Sequence, residues 1–297
     1  MARAGLLIAL GLVIGDALAH AEASHHHPHN HGLLANWLFW AMLISLGGYL
    51  AGLVRSTRRP AAWRLLCFGL GWLLLAVSVI GPIDHWAHTS LSGHMVQHMI
   101  LLAVAPPLWL LARPMPQYMM ALPLPARRVV GPWLARIYRG TAATPVAAFL
   151  AHGLVIWLWY LPLPFQFVLT HQLIHDAVHV LFFGTGLWFW WSLIAPGRLG
   201  QGSFGTATVL AVLTMMHMGM LGALMTFAPQ LLYPDHPAGF GGFDQLSDQQ
   251  LAGLLMWVPG GLVYLLAGLA LAVLWLKRSA QTPPATPPAR REPATGS

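Results

Sequence analysis

Apolar stretches of about twenty residues alternate with short polar segments along most of this chain. At a rise of about 1.5 Å per helical residue, each stretch is long enough to cross the roughly 30 Å hydrocarbon core of a bilayer. The pattern therefore predicts an all-α, polytopic membrane helix bundle with seven transmembrane helices. The seven stretches are residues 33–53, 65–83, 91–112, 143–161, 171–194, 206–228 and 249–276.

Basic residues are distributed unevenly among the segments between these stretches. Lys and Arg follow only the odd-numbered stretches. Because positively charged loops stay on the cytoplasmic side, this predicts an N-terminus outside and a C-terminus inside. The residues in question are Arg55, Arg58, Arg59, Arg64, Arg113, Arg127, Arg128, Arg136, Arg139, Arg198, Lys277, Arg278, Arg290 and Arg291.

The composition is typical of an integral membrane protein. The chain is 57% hydrophobic and 8% charged, against roughly 25% charged residues in a soluble domain. The formal net charge of +7 comes from the Lys and Arg residues that indicate the orientation in the membrane. We therefore expect contact with membrane lipid and no nucleic-acid partner. The single cysteine, Cys67, cannot form a disulfide or a thiolate metal site by itself.

The N-terminal 21 residues have the pattern of a secretory signal peptide. Arg3 precedes an apolar run at 5–15, and Ala17-Leu18-Ala19 forms a small-residue cleavage motif. An uncleaved eighth span is the alternative, although this run is short for one. The composition of the C-terminal tail predicts disorder. We assign 1–21 to the signal peptide, 22–32 to an outer arm, 33–276 to the seven-helix domain and 277–297 to the inner tail.

The outer arm is rich in histidine. Short tracts of this kind bind transition metals with low geometric selectivity, so we expect the arm to collect a metal ion. Its candidate ligands are His25, His26, His27 and His29.

Histidines also occur inside the apolar stretches, where ionisable groups are costly and indicate function by default. His94 and His98 lie in the third stretch, and His175 and His179 lie in the fifth. A spacing of four residues puts each pair on one helix face. A single intramembrane histidine often forms a structural hydrogen bond between helices. Two such pairs near the same membrane surface instead predict a multidentate metal site.

The neighbouring methionines favour copper as the metal. Imidazole suits Cu, Zn and Fe, whereas a thioether favours Cu(I). Met95 and Met99 stand beside the first pair, and Met216 adjoins His217 in the sixth stretch. Asp176 is a candidate acceptor that would orient a ligand imidazole. The predicted ligands are His94, His98, His175, His179, His217, Met95, Met99, Met216, His25, His26, His27 and His29, and His152 is a further candidate.

The outer segment 229–250 joins the sixth stretch to the seventh. Asp248 stands where the last helix is expected to begin, which predicts that it caps that helix. We expect the rest of this segment, with its Gly-rich turn, to form a partner or gating surface rather than to supply metal ligands.

Three motifs resemble those of a known family. They are His94-Met95-Val96-Gln97-His98-Met99 before Ala105-Pro106-Pro107, the His175 to His179 segment leading to Trp190-Trp191, and Asp248-Gln249-Gln250 opening the run to Pro259-Gly260. Together they are similar to the CtaG family of cytochrome c oxidase assembly factors. The resemblance implies a seven-helix protein of the bacterial plasma membrane, and we expect this protein not to be an enzyme. It also implies a role in maturing haem-copper oxidase through its copper centres, with oxidase subunits as partners.

Two other functions fit part of the pattern. A b-type haem protein would use one histidine from each of two helices as axial ligands, and His98 with His179 would be such a pair. A metal permease would need polar groups that continue to the inner leaflet, and the inner halves of the stretches carry almost none. The leading hypothesis is an assembly factor that binds copper at the outer leaflet and passes it to the apo-oxidase by ligand exchange.

Overall fold

The computed structural model describes residues 37–195, 202–236 and 242–281, and all of the regular secondary structure in these ranges is helical. Two π-helical turns, Ile100–Val104 and Met256–Gly260, join α-helices end to end. The α-helices are α1 (Trp37–Arg55), α2 (Ala62–Val79), α3 (Pro82–Thr89), α4 (Leu91–Met99), α5 (Ala105–Ala112), α6 (Met115–Ala121), α7 (Leu124–Ala142), α8 (Pro145–Tyr160), α9 (Pro162–Leu169), α10 (Gln172–Ile194), α11 (Gly202–Thr226), α12 (Gln245–Leu255) and α13 (Gly261–Ala280).

Six helical segments of the described ranges are long and apolar enough to cross a membrane, and a seventh results if α7 and α8, bent by 83°, form one span. α8 alone has 16 residues. That is about 24 Å of helix, less than the roughly 30 Å of a hydrocarbon core. Large apolar side chains such as Ile44, Val54 and Leu154 are exposed on the bundle surface, where lipid tails are an equally apolar solvent. The multi-pass helical architecture is therefore confirmed, with six to seven spans in the described residues.

Several segments between the predicted apolar stretches are helical. α3 occupies most of 84–90, α9 occupies most of 162–170, and α6 and α7 fill most of the segment from 113 to 142. Each of these four helices has a proline in its first turn. Proline is tolerated there because the first backbone N–H groups need no intrahelical acceptor. The last helix also continues to Ala280 rather than ending at residue 276.

Proline inside a helix usually kinks or ends it, but the third span continues past Pro106 to Ala112. Because Pro106 has no N–H, the carbonyl of Leu102 lacks its usual donor four residues later. The preceding π turn exposes this carbonyl to neighbouring helices. The Trp190 indole N–H of α10 donates to it at 3.0 Å, and the Tyr264 hydroxyl of α13 donates at 3.4 Å. The carbonyl that Pro106 leaves without a donor therefore links three spans through hydrogen bonds.

The span made of α4, its π turn and α5 lies at the centre of the bundle, and 61% of an 18-residue apolar stretch within it is buried. α2 and α10 pack against α5, and α12 packs against α4. Gly186 allows α10 to approach closely, since an added Cβ would lie 3.0 Å from Pro106 and 3.2 Å from the Leu102 carbonyl oxygen. The two helices that carry the predicted histidine pairs are therefore neighbours.

The two ends of the bundle differ in chemistry. His94 lies within the first turns of α4, and Arg113 directly follows α5 at the far end of the same span. Arg55 ends α1 and Arg64 lies in the first turn of α2, so both lie at the same end as Arg113. We call these the histidine end and the basic end.

Candidate metal centre

Four predicted ligands from two helices meet in the interior at the histidine end. His94 and His98 come from α4, His175 and His179 come from α10, and each residue is at most 6% exposed. The ring centroids are 4.3 Å apart within the α4 pair and 4.2 Å apart within the α10 pair. Between the helices, the centroids of His94 and His175 are 5.4 Å apart, and those of His98 and His179 are 5.5 Å apart. We call these four residues the histidine cluster.

The ring nitrogens of the histidine cluster form a set of donors suited to a metal ion. One ring nitrogen from each of His94, His175 and His179 lies within 4.8 Å of the other two. The Nε2 atoms of His98, His175 and His179 are buried and make no hydrogen bond to the described residues. Each such atom costs about 1–3 kcal/mol when it is left unpaired. Three of them together fit a site that a ligand completes.

The space beside the histidine cluster has the size of a single ion. A cavity of about 10 Å³ is lined by His94, His98 and His175 together with apolar side chains. Such a volume holds about one water molecule, whereas pockets for larger ligands measure roughly 300–1,000 Å³. The Tyr160 hydroxyl lies 3.1 Å from Nδ1 of His98, which leaves Nε2 as the available donor of that ring.

The start of α4 is held by a carboxylate from another helix. Asp248 is 1% exposed, and its Oδ2 accepts the backbone N–H groups of Leu91 at 2.7 Å and Ser92 at 3.4 Å. Its Oδ1 accepts the Ser92 hydroxyl at 2.5 Å. The prediction that Asp248 caps its own helix is therefore wrong. Asp244 caps α12 instead, since its Oδ1 accepts the Ser247 N–H at 2.7 Å. The hydrogen bond to the backbone of Ser247 also holds the pKa of Asp244 below its usual value.

The segment between α11 and α12 is fastened to α12 by glutamine side chains. The Gln249 side-chain oxygen accepts the backbone N–H of Leu232 at 2.6 Å, and its amide donates to the Gln230 carbonyl at 3.1 Å. The Gln245 amide donates to the His236 carbonyl at 2.5 Å. Glutamine suits this role because it offers both an acceptor and two donors.

This fastening places His236 against the histidine cluster. His236 is 3% exposed, and its ring centroid lies 5.6 Å from that of His94. We expected segment 229–250 to supply no metal ligand, yet it brings a buried imidazole next to His94. The sequence carried no signal for this residue, since His236 belongs to no helical repeat and reaches the cluster only through the fold.

Four other predicted ligands do not line the cavity at the histidine cluster, namely His217, Met216, Met95 and Met99. His217 faces α8, with its ring 5.8 Å from that of Phe149. Met216 is 60% exposed on the bundle surface. Met95 is fully buried in the apolar core, and Met99 places its sulfur against Gly260. One helical residue turns a side chain by about 100°, so methionines next to the histidines face other neighbours. No thioether of the described residues lines the cavity at the cluster.

A family model of cytochrome c oxidase caa3 assembly factors (Caa3_CtaG) matches residues 47–278, which is most of the chain. The chain belongs to this family. No curated protein and no solved structure matches it. Family membership assigns the protein to the assembly of cytochrome c oxidase and implies that it associates with the oxidase.

The motifs that suggested the caa3 assembly factor family have separate structural roles in this member. Asp248 holds the start of the histidine-bearing α4. Gln249 fastens the segment that carries His236. Trp190 satisfies the carbonyl that Pro106 leaves without a donor. The family pattern therefore describes the scaffold of the histidine cluster as well as the histidines themselves.

Asp176 does not orient a cluster imidazole in this assembly factor. Its carboxylate accepts the Trp37 indole N–H at 2.9 Å and the Gln172 amide at 2.8 Å, which ties α1 to α10. His152 is also structural, because its ring nitrogens contact the Tyr264 hydroxyl at 3.1 Å and the Thr185 hydroxyl at 3.5 Å. The predicted arm ligands His25, His26, His27 and His29 lie outside the described residues.

Proposed function

We propose that this assembly factor binds copper at the histidine cluster and supplies it to cytochrome c oxidase. The observation that supports this best is the set of three buried Nε2 atoms in the histidine cluster that have no partner among the described residues, two of them on residues that line an ion-sized cavity. His94, His98, His175 and His179 would hold the ion, and His236 is placed to join them. The ion is cargo for the oxidase, so the protein needs no catalytic residue of its own.

Copper is proposed over zinc on the basis of the donor set and the family. The donors around the cavity are imidazoles, and divalent copper binds nitrogen sites more tightly than the other first-row metals. The thioether argument for Cu(I) is not needed, because no methionine lines the cavity. Assembly of a haem-copper oxidase also requires a source of copper at the membrane.

The metal content of the purified protein tests this proposal. Protein purified from copper-supplemented cells without a metal-affinity column should retain about one copper ion per chain, because the buried donor atoms favour a bound ion. Inductively coupled plasma mass spectrometry measures the ion. Stoichiometric zinc or iron with no copper would overturn the proposal.

A reduced-minus-oxidised optical spectrum of the same sample separates the copper proposal from a b-type haem protein. The roughly 10 Å³ cavity is far smaller than a haem pocket, so no haem bands are expected. Strong haem bands would favour axial ligation by His98 and His179 instead.

We also propose that the histidine end faces outward from the bacterial plasma membrane and that the basic end faces the cytoplasm. The distribution of arginines supports this orientation. An alkaline phosphatase fused after Gly239 should be active, and the same enzyme fused after Gln281 should be inactive, because this enzyme reaches its active form only outside the cytoplasm. Activity measured on intact cells gives the result, and the opposite pattern would refute the orientation.

A further inference from the structure

A second cavity lies at the basic end, at the opposite side of the bundle from the histidine cluster. It has a volume of about 370 Å³. Its walls come from the connector between α1 and α2, the first turn of α2, the end of α5 with the following Arg113, and α6. Four arginines line it, namely Arg58, Arg59, Arg64 and Arg113. We call this cavity the arginine pocket.

The charge of the arginine pocket has no counterpart in the described protein. None of its four arginines lies within 4.0 Å of a described carboxylate, and the described aspartates belong to the histidine end. Arg55 and Arg127 nearby donate to backbone carbonyls of Ala121 and Leu122. In contrast, the Nε atom of Arg64 is buried and has no hydrogen-bond partner among the described residues.

The start of α2 adds further positive potential to the pocket. This helix begins at Ala62, no side chain caps it, and its first turn contains no acidic residue. Uncapped N–H groups and the helix dipole favour an anion at this position and disfavour the Arg64 cation that occupies the same turn. Arg113 follows the end of the antiparallel α5 and brings another cation to the same place. A bound anion removes this repulsion.

We propose that the arginine pocket binds the phosphate headgroup of an anionic phospholipid. Arginine recognises phosphate oxygens through paired N–H groups, and basic pockets between membrane helices on the cytoplasmic side are suited to lipid headgroups. The volume of the pocket lies within the range of pockets that bind small ligands. Exposed apolar residues on the flanking helices, Val54, Trp63 and Leu66, provide a surface for the acyl chains.

Native mass spectrometry of the full chain in a neutral detergent tests the proposal. Phosphatidylglycerol should bind at least about tenfold more tightly than phosphatidylcholine, because only the first carries a net negative charge. The R58Q/R59Q variant should lose roughly tenfold or more of this affinity. Both residues are exposed and lie outside the helices, so the fold is expected to survive. The R128Q/R136Q variant removes the same charge from exposed positions outside the pocket and should bind as the unmodified protein does.

Several outcomes would overturn the proposal. Equal losses in the two double variants would show a general effect of charge. Equal binding of the two lipids would remove the role of the anion. Displacement of phosphatidylglycerol by millimolar inorganic phosphate would show that the pocket accepts the free anion. The R64Q/R113Q variant removes two further charges inside the pocket and provides a second test. Copper content measured on every sample shows, independently of lipid binding, whether the histidine end is intact.

Discussion

Replacing His94 by Ala should lower the affinity of the protein for copper by at least about 100-fold, since losing groups that only orient a metal ligand already costs roughly 10–100-fold. His94 is the central ring of the site. Its centroid lies within 6.5 Å of those of His98, His175, His179 and His236. Its removal therefore takes one of the three mutually close ring nitrogens out of the site. Competition with a chromogenic copper chelator measures the affinity.

His171→Ala is the matched control for this variant. His171 directly precedes α10 and is exposed, and its Nδ1 contacts the carbonyl of Phe167 at 2.9 Å rather than the cluster. Its loss should leave copper affinity unchanged. Electron paramagnetic resonance of the Cu(II)-loaded proteins should show fewer nitrogen donors for His94→Ala only. Unchanged affinity and spectra in both variants would exclude the histidine cluster as the copper site.

Replacing Asp248 by Ala should lower the free energy of unfolding by about 2–6 kcal/mol, because the buried N–H of Leu91 and hydroxyl of Ser92 lose their acceptor at about 1–3 kcal/mol each. The start of α4 would also loosen, so copper affinity should fall although Asp248 touches none of the four cluster rings. Chemical unfolding in detergent, followed by tryptophan fluorescence, measures the stability. The chelator competition measures the affinity.

Asp244→Ala provides the comparison on the same helix. Asp244 is exposed and caps only α12, so its loss should cost clearly less stability and should leave copper affinity unchanged. Asp248→Asn keeps one acceptor oxygen and should fall between the unmodified protein and Asp248→Ala. If Asp244→Ala and Asp248→Ala behave alike, the carboxylate of Asp248 has no special role in holding α4.

The predictions that succeeded rest on interactions and spacing within a single segment of the chain. Backbone groups in a hydrocarbon core must pair within their own segment, so an apolar stretch of sufficient length reports a helix. A spacing of four residues puts His94 with His98, and His175 with His179, on shared faces wherever the helices lie. These two rules predicted the helical bundle and the two histidine pairs.

The predictions that failed concern which neighbour a side chain meets. Asp248 stands at the start of its own helix in the sequence, yet its carboxylate caps α4, which lies about 150 residues earlier in the chain. Met216 adjoins His217 in sequence, but the packing of α11 turns it to the bundle surface. Local pattern cannot distinguish these outcomes, because the partner of a helix face depends on how whole helices pack.

The sequence by itself therefore determined the helical membrane architecture, the resemblance to the family and the two histidine pairs, because each follows from composition, from local motifs or from spacing within one segment. Only the tertiary structure decided that α4 and α10 are neighbours, that His236 reaches the cluster and that the arginines at the basic end share one pocket. Each of these depends on contacts between segments distant in the chain, and packing of the whole bundle sets those contacts.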